Sequence, residues 1–180
     1  MPSNMPLLRA IRALEARPNA AHSILAKLSI PANVKEIAPN AESFHLITQN
    51  VDGLSTVALR ALLPSTEATK KTRTFKSSIL EMHGRLFDVQ CTECGFCKED
   101  RSQAVCPALA DADISLQTYH DAGSKSIDIP ESALPRCDKC GALARPGVVW
   151  FGERPHHIDD INLLVFKADM ILVVGTSSTV

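Results

Sequence analysis

The sequence lacks a run of basic residues, although 19 lysine and arginine side chains are spread along its 180 positions against 20 acidic ones. The net charge is therefore −1, and the sequence pI is about 6.6. Proteins that bind nucleic acid usually carry a clustered positive surface. This absence argues against DNA or RNA as a partner.

The chain also lacks a signal peptide and an apolar run long enough to cross a bilayer, so no membrane partner is expected. Six cysteines are present nonetheless, and they lie in short clusters. In a chain that is not secreted, paired Cys-x-x-Cys motifs indicate metal ligands before disulfides. The length predicts one domain, with room for a small appended module.

The first 17 residues are basic and amphipathic, with Leu7, Ile11 and Leu14 at helical spacing. Such a segment is either a mitochondrial targeting helix or the first helix of the fold. The second interpretation is favoured because the segment runs directly into another helical pattern. The compartment stays open between the mitochondrion and the cytoplasm or nucleus.

The remaining pattern predicts an α/β protein. Helices are expected at 5–17, 20–28, 54–63 and 156–167, and loops at 31–41 and 64–78. Buried strands are expected at 44–48 and 169–174, and an extended apolar segment at 147–153. Because each buried strand ends in a polar loop and helices separate the strands, the sheet is expected to be mainly parallel.

Polar residues follow the first predicted strand at Gln49, Asn50 and Asp52. Open α/β sheets bind their ligands at the carboxyl ends of strands. Asn, Asp and Gly also build ordinary turns. Both interpretations stay open on this feature alone.

Two Cys-x-x-Cys-Gly motifs supply four thiolates in two tight turns, as a tetrahedral zinc site requires. Cys97 forms an overlapping pair with Cys94, but only the pairing of Cys91 with Cys94 repeats the glycine that follows Cys140. We therefore predict one zinc ion bound by Cys91, Cys94, Cys137 and Cys140. Four thiolates leave no open position for water, so the metal is expected to be structural. The alternative is a set of buried or redox-active thiols.

A His-Gly pair at His83 and Gly84 precedes the first cysteine motif. Imidazole titrates near neutral pH and can accept a hydroxyl proton, so His83 is a candidate general base. A single histidine is more often structural, and the pattern alone does not decide between the two.

Together these residues resemble the sirtuins, a family of NAD-dependent protein-lysine deacylases. The matching segments occur in the family's order and are 48–52, 82–84, the two cysteine pairs, 149–153 and 174–178. Each segment is a weak signal alone, and five in order are highly specific. Residues 106–109, the long insert between the cysteine pairs and Trp150 most resemble the desuccinylase-like branch.

The resemblance implies a Rossmann-like NAD-binding domain, formed by residues 1–85 and 146–180, with an inserted zinc-ribbon module at 86–145. The active site would lie in the cleft between them. The implied cofactors are NAD and one structural Zn²⁺. The implied activity removes acetyl or succinyl-type groups from lysine in protein substrates and releases nicotinamide and O-acyl-ADP-ribose.

The resemblance also implies roles for individual residues, with His83 deprotonating a ribose hydroxyl as the general base. Contacts with NAD would come from Gln49, Asn50, Asp52, Gly175, Thr176 and Ser177. The acylated peptide would pair as an added strand with Val149, Trp150, Phe151, Gly152 and Glu153. Arg9 would pair with an acyl carboxylate.

The family's Gly-Ala-Gly-x-Ser loop, which opens a phosphate-binding helix, does not occur in this sequence. The chain begins at what resembles a later helix and stops shortly after a predicted strand. We therefore expect a truncated protein with an incomplete Rossmann-like sheet, an exposed apolar edge and weak NAD binding. The tyrosine of the desuccinylase acyl pocket corresponds to Pro6, so the choice between acetyl and succinyl stays open.

Two other functions remain under consideration. A non-catalytic zinc-stabilised module could bind acylated peptides or a protein partner, and the missing phosphate loop favours it. The retained Gln49, Asn50, Asp52 and His83 favour the enzyme. A nucleic-acid-binding zinc ribbon is disfavoured by the acidic residues around the cysteines. The sequence does not give the oligomeric state.

Overall fold

A computed structural model describes residues 14–63, 78–102 and 130–176. Its helices are α1 (Ala20–Leu28), α2 (Pro31–Ile37), α3 (Leu54–Leu62) and α4 (Ile158–Lys167), with a 3-10 turn at Glu131–Ala133. Its strands are β1 (Leu46–Thr48), β2 (Ile79–Glu81), β3 (Gly84–Cys91), β4 (Cys97–Glu99) and β5 (Ala144–Val148). Within these ranges, no helix has the length and apolar character needed to span a membrane.

The strands form two sheets. β1 and β2 pair in parallel, with Leu46 opposite Ile79, as expected for a parallel sheet, although β2 itself was not predicted from the sequence. β3 is the middle strand of an antiparallel sheet, between β4 and β5. Only Met82 and His83 separate β2 from β3. One tight turn therefore joins the two sheets.

The helices α1 and α3 pack together, and each buries a small residue. Ala26 of α1 is 1% exposed and Ala58 of α3 is 6% exposed. α1 begins at a capping box in which the side chains of Asn19 and His22 each satisfy the other's backbone N–H. The helices predicted at 20–28 and 54–63 are thus confirmed to within one residue.

The loop predicted at 31–41 is wrong, because its first half forms α2. Pro31 occupies the first helical turn, where a missing N–H breaks no intrahelical hydrogen bond. Val34 is buried, and Lys35 Nζ donates to the carbonyl of Ala41 at 2.7 Å. The proline marks the start of a helix here.

The buried strand predicted at 169–174 is also wrong. Residues 170–174 form no strand within the described chain, and Met170, Leu172 and Val174 are 87%, 85% and 78% exposed. An apolar run becomes a strand only where another strand accepts its hydrogen bonds. Met170 in this run is as exposed as Phe166 near the end of α4, which is 87% exposed. We call residues 170–174 the apolar tail.

Three smaller differences concern the ends of predicted elements. β1 is shorter than the predicted 44–48 and is half-buried instead of buried. The extended segment 147–153 ends early, because β5 stops at Val148 and residues 151–153 form a turn. The helix predicted at 156–167 begins at Ile158. Most of the predicted 5–17 helix and of the 64–78 loop lie outside the described residues.

Candidate functional site

Four cysteine thiols meet beyond the end of β3. The Sγ atoms of Cys91, Cys94, Cys137 and Cys140 all lie within 4.8 Å of one another. The Sγ–Sγ distance is 3.5 Å between Cys91 and Cys140 and 3.7 Å between Cys94 and Cys137. A tetrahedral ion with Zn–S bonds of about 2.3 Å needs sulfur atoms about 3.8 Å apart. The geometry of the cluster therefore fits one zinc ion.

The two halves of the cluster have the same local fold. The N–H groups of Glu93 and Cys94 both donate to Cys91 Sγ at 3.3 Å. In the second half, the N–H of Lys139 donates to Cys137 Sγ at 3.3 Å. Each turn is completed by a glycine with a left-handed φ, +68° at Gly95 and +75° at Gly141. The repeated glycine in the sequence thus corresponds to a repeated turn.

The thiols of the cluster differ in pKa. The pKa of Cys91 is lowered to about 6, because the N–H groups of Cys94 and Glu93 stabilise its thiolate. At Cys140 the Ala142 N–H acts in the same direction, but the neighbouring sulfur atoms of the cluster outweigh it and raise the pKa to about 12. Without a cation, the negative charge of one thiolate disfavours the ionisation of the next thiol. A bound dication would remove this opposition.

Cys97 lies outside the cluster. This cysteine is exposed on β4. Neighbouring atoms shield its thiol partly from water, and this desolvation, together with the nearby Asp88 charge, raises its pKa. Its neighbour Lys98 forms an ion pair with Asp138, which ties β4 to the second cysteine turn. Cys106 lies outside the described residues.

The turn that carries His83 is held by main-chain hydrogen bonds from three directions. Met82 N donates to Thr48 O at 3.1 Å, from the end of β1. Val149 N donates to His83 O, and His156 N donates to Met82 O, both at 2.9 Å. The turn is therefore fixed between β1, the residue after β5 and the segment before α4.

The imidazole of His83 points its Nδ1 at the carbonyl oxygen of Gln49, at 3.3 Å. A carbonyl oxygen can only accept a hydrogen bond, so Nδ1 carries the proton in this arrangement. Nε2 is then the nitrogen that can accept a proton. The side chain is half-buried, at the carboxyl end of β1.

The polar loop after β1 lies beside this histidine. Gln49 and Asn50 are exposed, and Asn50 N donates to Thr48 Oγ1 at 3.1 Å. Asp52 Oδ1 accepts from Leu54 N at 2.9 Å at the start of α3. The structure therefore brings three predicted cofactor residues, Gln49, Asn50 and Asp52, to the same strand end as His83.

A tight crossing of two backbones supports the same region. Gly84 has φ +75°, and a Cβ built there would lie 2.0 Å from the carbonyl oxygen of Gly147. The pairing of β3 with β5 then shifts register between Arg85 and Val89. Within this bulge, Leu86 N donates to Val51 O at 2.8 Å. The bulge thus contacts the polar loop directly.

A chain of polar side chains that the sequence interpretation missed joins the two residues that flank the turn, Glu81 and Arg85. Thr56 Oγ1 donates to Glu81 Oε1 at 2.9 Å. Arg85 lies 3.7 Å from Glu81 and 2.9 Å from Asp88. Burial raises the pKa of Glu81 and outweighs the Thr56 hydrogen bond and the Arg85 charge. The available signal was an acidic and a basic residue on either side of His83-Gly84.

The predicted peptide segment is only partly beside His83. Val149 contacts it through the main chain, but Phe151 is 98% exposed and Trp150 44% exposed. Glu153 accepts from Trp150 N at 3.0 Å, which lowers its pKa and closes a turn. Gly152 lies in that turn with φ +90°.

The structure shows no contact between His83 and the other predicted residues that it describes. Gly175 and Thr176 are exposed beyond the apolar tail. Ser177 and Arg9 lie outside the described residues. Their predicted roles therefore receive no geometric support from the described chain.

Comparison with known proteins gives consistent relatives. The model of the Sir2 family matches residues 5–180. The chain is 35% identical over 171 residues to the NAD-dependent protein deacylase sirtuin-5, mitochondrial, of Canis lupus familiaris, covering 93% of this chain and 47% of that protein. It is 34% identical over 174 residues to an NAD-dependent protein deacylase of Pyrococcus furiosus, covering 96% and 52%. The chain thus spans about half the length of these curated relatives.

Solved structures agree with the sequence relatives. A Sir2 homologue in complex with NAD has a TM-score of 0.60 and 31% identity, covering 97% of this chain and 50% of that one. An ADP-ribose complex of a mutant Sir2 homologue has a TM-score of 0.61 and 30% identity, covering 98% and 52%. These neighbours confirm the predicted Rossmann-like α/β fold class, and the cysteine cluster is compatible with the predicted zinc module. The chain belongs to the Sir2 family.

Proposed function

We propose that this chain carries the general base and the structural zinc site of an NAD-dependent protein-lysine deacylase. The observation that supports this function best is the position of His83. Its Nδ1 lies 3.3 Å from the carbonyl of Gln49, at a strand end that also presents Asn50 and Asp52. The carboxyl ends of parallel strands are where α/β sheets bind ligands.

In this function Nε2 of His83 accepts a proton from a hydroxyl group. The Nδ1 hydrogen bond to Gln49 O would keep Nε2 free and would stabilise the imidazolium that forms. NAD, when bound, supplies the ribose and the nicotinamide leaving group. The side chains of Gln49 and Asn50 are exposed and available to hold a ribose, and Asp52 would contact the carboxamide. Gly175, Thr176 and Ser177 complete the proposed NAD contacts.

The zinc module would act through structure. We propose that residues 86–145 form this module and that residues 1–85 and 146–180 belong to the NAD-binding domain. The four thiolates fill a tetrahedral coordination sphere, so the ion would not take part in the reaction. Because β3 runs from the His83 turn to Cys91, the zinc cluster would anchor the strand that begins at the reactive residue.

The substrate proposal is an acylated lysine in an extended peptide. In the described chain β5 is an edge strand, because it pairs with β3 on one side alone. A peptide can add to such an edge through main-chain hydrogen bonds, alongside residues 149–153. Arg9 is the candidate partner for an acyl carboxylate, and its guanidinium would favour succinyl over acetyl groups.

A second function is supported by the exposure of the apolar tail. The residues that should follow it as cofactor contacts, Gly175 and Thr176, are exposed. A zinc-stabilised module that binds acylated peptides without turnover would need the β5 edge but not these contacts. The second function and the enzyme therefore differ in a measurable property, which is nicotinamide release.

The test incubates the purified full chain with NAD and either an acetyl-lysine or a succinyl-lysine peptide, and measures nicotinamide release. His83→Ala is expected to lower the rate by ~10²–10⁴-fold. The matched control is His45→Ala, which removes an exposed histidine at the other end of β1. Peptide binding is measured in parallel by calorimetry. Binding without release from folded, zinc-loaded protein would favour the non-catalytic module, and equal release from the His83 variant would overturn the proposed base.

A further inference from the structure

We propose that Glu81 and Arg85 are positioning residues for His83, acting as a clasp across the base of the turn that carries it. Glu81 is the last residue of β2, and Arg85 is the second residue of β3. Met82, His83 and Gly84 lie between them. The effect of the clasp on turnover rests on the proposed function, whereas its effect on the imidazole does not.

The clasp is anchored at both ends. Glu81 Oε1 accepts from Thr56 Oγ1 of α3 at 2.9 Å, and the Arg85 guanidinium lies 2.9 Å from Asp88 in the bulge of β3. The two clasp residues approach each other to 3.7 Å. The polar chain therefore runs from a helix to the bulge through the two residues that flank the turn.

A side-chain restraint has a role here because the main-chain hydrogen bonds fix the backbone of the turn and leave the imidazole ring weakly fixed. The three hydrogen bonds that hold it involve main-chain atoms of Met82 and His83. The Nδ1 to Gln49 O distance of 3.3 Å is already beyond the usual 2.7–3.2 Å range. A small rotation of the turn would break it.

The clasp is not explained well by stability. The side chain of Glu81 is 15% exposed and that of Arg85 is 29% exposed. Ion pairs withdrawn from water gain little net free energy, because desolvation of the charges offsets their attraction. The charged groups that face Glu81 are Arg85 and Asp88 of β3 and Arg60 of α3, with the Thr56 hydroxyl. Mixed charges in this arrangement orient side chains more than they stabilise the fold.

The experiment records the ¹⁵N shifts of the His83 ring nitrogens in the full zinc-loaded chain, at a pH where the imidazole is neutral. In the wild type we expect the Nδ1–H tautomer. Glu81→Gln and Arg85→Met are expected to move the shifts toward a mixture of tautomers. Thr56→Val should do the same, and Thr56→Ser should restore the wild-type shifts because it keeps the hydroxyl. In turnover, kcat should fall by ~10-fold or more with KM little changed, since misplaced reacting groups lower the rate steeply.

Glu131→Gln is the matched control, because it neutralises an exposed carboxylate that pairs with Arg136 far along the chain. It should leave the His83 shifts unchanged. Unchanged His83 shifts in folded Glu81→Gln and Arg85→Met would overturn the clasp. If the wild type releases no nicotinamide, the proposed enzyme activity fails for this chain, while the ring shifts still decide the clasp.

Discussion

At the scale of single residues, the thiols of Cys91 and Cys97 show how a few main-chain groups separate two similar side chains. Cys91 is buried and receives two N–H groups from its own turn, which lower its pKa to about 6. Cys97 is exposed, and its pKa is raised. A thiolate ready to bind a cation is therefore formed at one position and not at the other.

Cys91→Ser should abolish zinc binding, because it removes one of the four thiolates and leaves the tetrahedral coordination of the ion incomplete. We expect bound zinc to fall from about one ion per chain to a small fraction, with a loss of several kcal/mol in stability. Cys97→Ser should keep a full complement of zinc. Metal analysis and thermal unfolding of both variants check this. Equal zinc content in the two variants would contradict it.

Glu81 should make stability depend on pH in a defined direction. Its folded pKa is raised above the usual 4.5, because burial disfavours the carboxylate. The stability contributed by this group is therefore present below the unfolded pKa and is lost as the pH rises through the folded pKa. Glu81→Gln keeps an acceptor for Thr56 but does not titrate.

We therefore expect the free energy of unfolding of the wild type to fall relative to that of Glu81→Gln between pH 4 and neutral pH. Denaturant unfolding of both proteins across this range measures the difference. If the free energy of unfolding of the wild type instead rises relative to that of the variant with rising pH, then Arg85 and Thr56 stabilise the Glu81 carboxylate by more than burial destabilises it. Combined with the clasp, the expected result means that a glutamine would improve stability at neutral pH while weakening the orientation of His83.

At the scale of elements, the crossing of β3 and β5 sets the position of the His83 turn. Gly84→Ala should be strongly destabilising, because its Cβ would lie 2.0 Å from the Gly147 carbonyl oxygen and the φ is +75°. We expect a loss of ~3 kcal/mol or more. Gly152→Ala is the control, since its φ is also left-handed but no atom lies within 4 Å of the added Cβ.

The control should lose only ~1–2 kcal/mol, from backbone strain alone. Chemical denaturation gives both values. Equal losses in the two variants would mean that the strand crossing relaxes to accommodate a methyl group.

The same elements show what the sequence could and could not predict. Apolar periodicity located α1 and α3, and the glycines after Cys94 and Cys140 selected the four thiols that the structure brings together. α2 was missed because Pro31 was interpreted as part of a loop instead of a first helical turn. The apolar tail was predicted as a strand because its run of apolar residues is typical of a buried strand. Strand formation depends on a neighbouring strand, and no local pattern gives that neighbour.

The clasp could not be predicted for a similar reason. Glu81 and Arg85 were visible on either side of His83, but charged residues near a turn are usually solvated. Their structural role depends on the hydrogen bond from Thr56 to Glu81. Thr56 is distant in sequence and reaches Glu81 only after α3 packs beside β2. Contacts of this kind are set by packing.

At the scale of the whole molecule, α4 and the apolar tail expose many large apolar side chains among the described residues. Exposed, unpaired apolar segments favour association with other chains. We expect the wild type to self-associate as its concentration rises. The double variant Leu172→Lys and Val174→Lys should remain monomeric, with monomer stability changed by less than ~0.5 kcal/mol.

Sedimentation velocity over a range of concentrations measures this difference. Ile37→Lys is the control, because Ile37 is 68% exposed on α2, outside the α4 and tail surface. It should associate as the wild type does. Association that persists in the double variant would show that another surface mediates it.

The paired cysteine turns have a consequence for how the family can vary. Closing a chain segment between two fixed points becomes only about 0.6 kcal/mol less favourable with each doubling of its length. With Glu99 held in β4 and Cys137 held in the cluster, the segment between them could lengthen or shorten over generations with little effect on folding. Descendants could therefore acquire new sequence there while His83, eight positions before Cys91, keeps its surroundings.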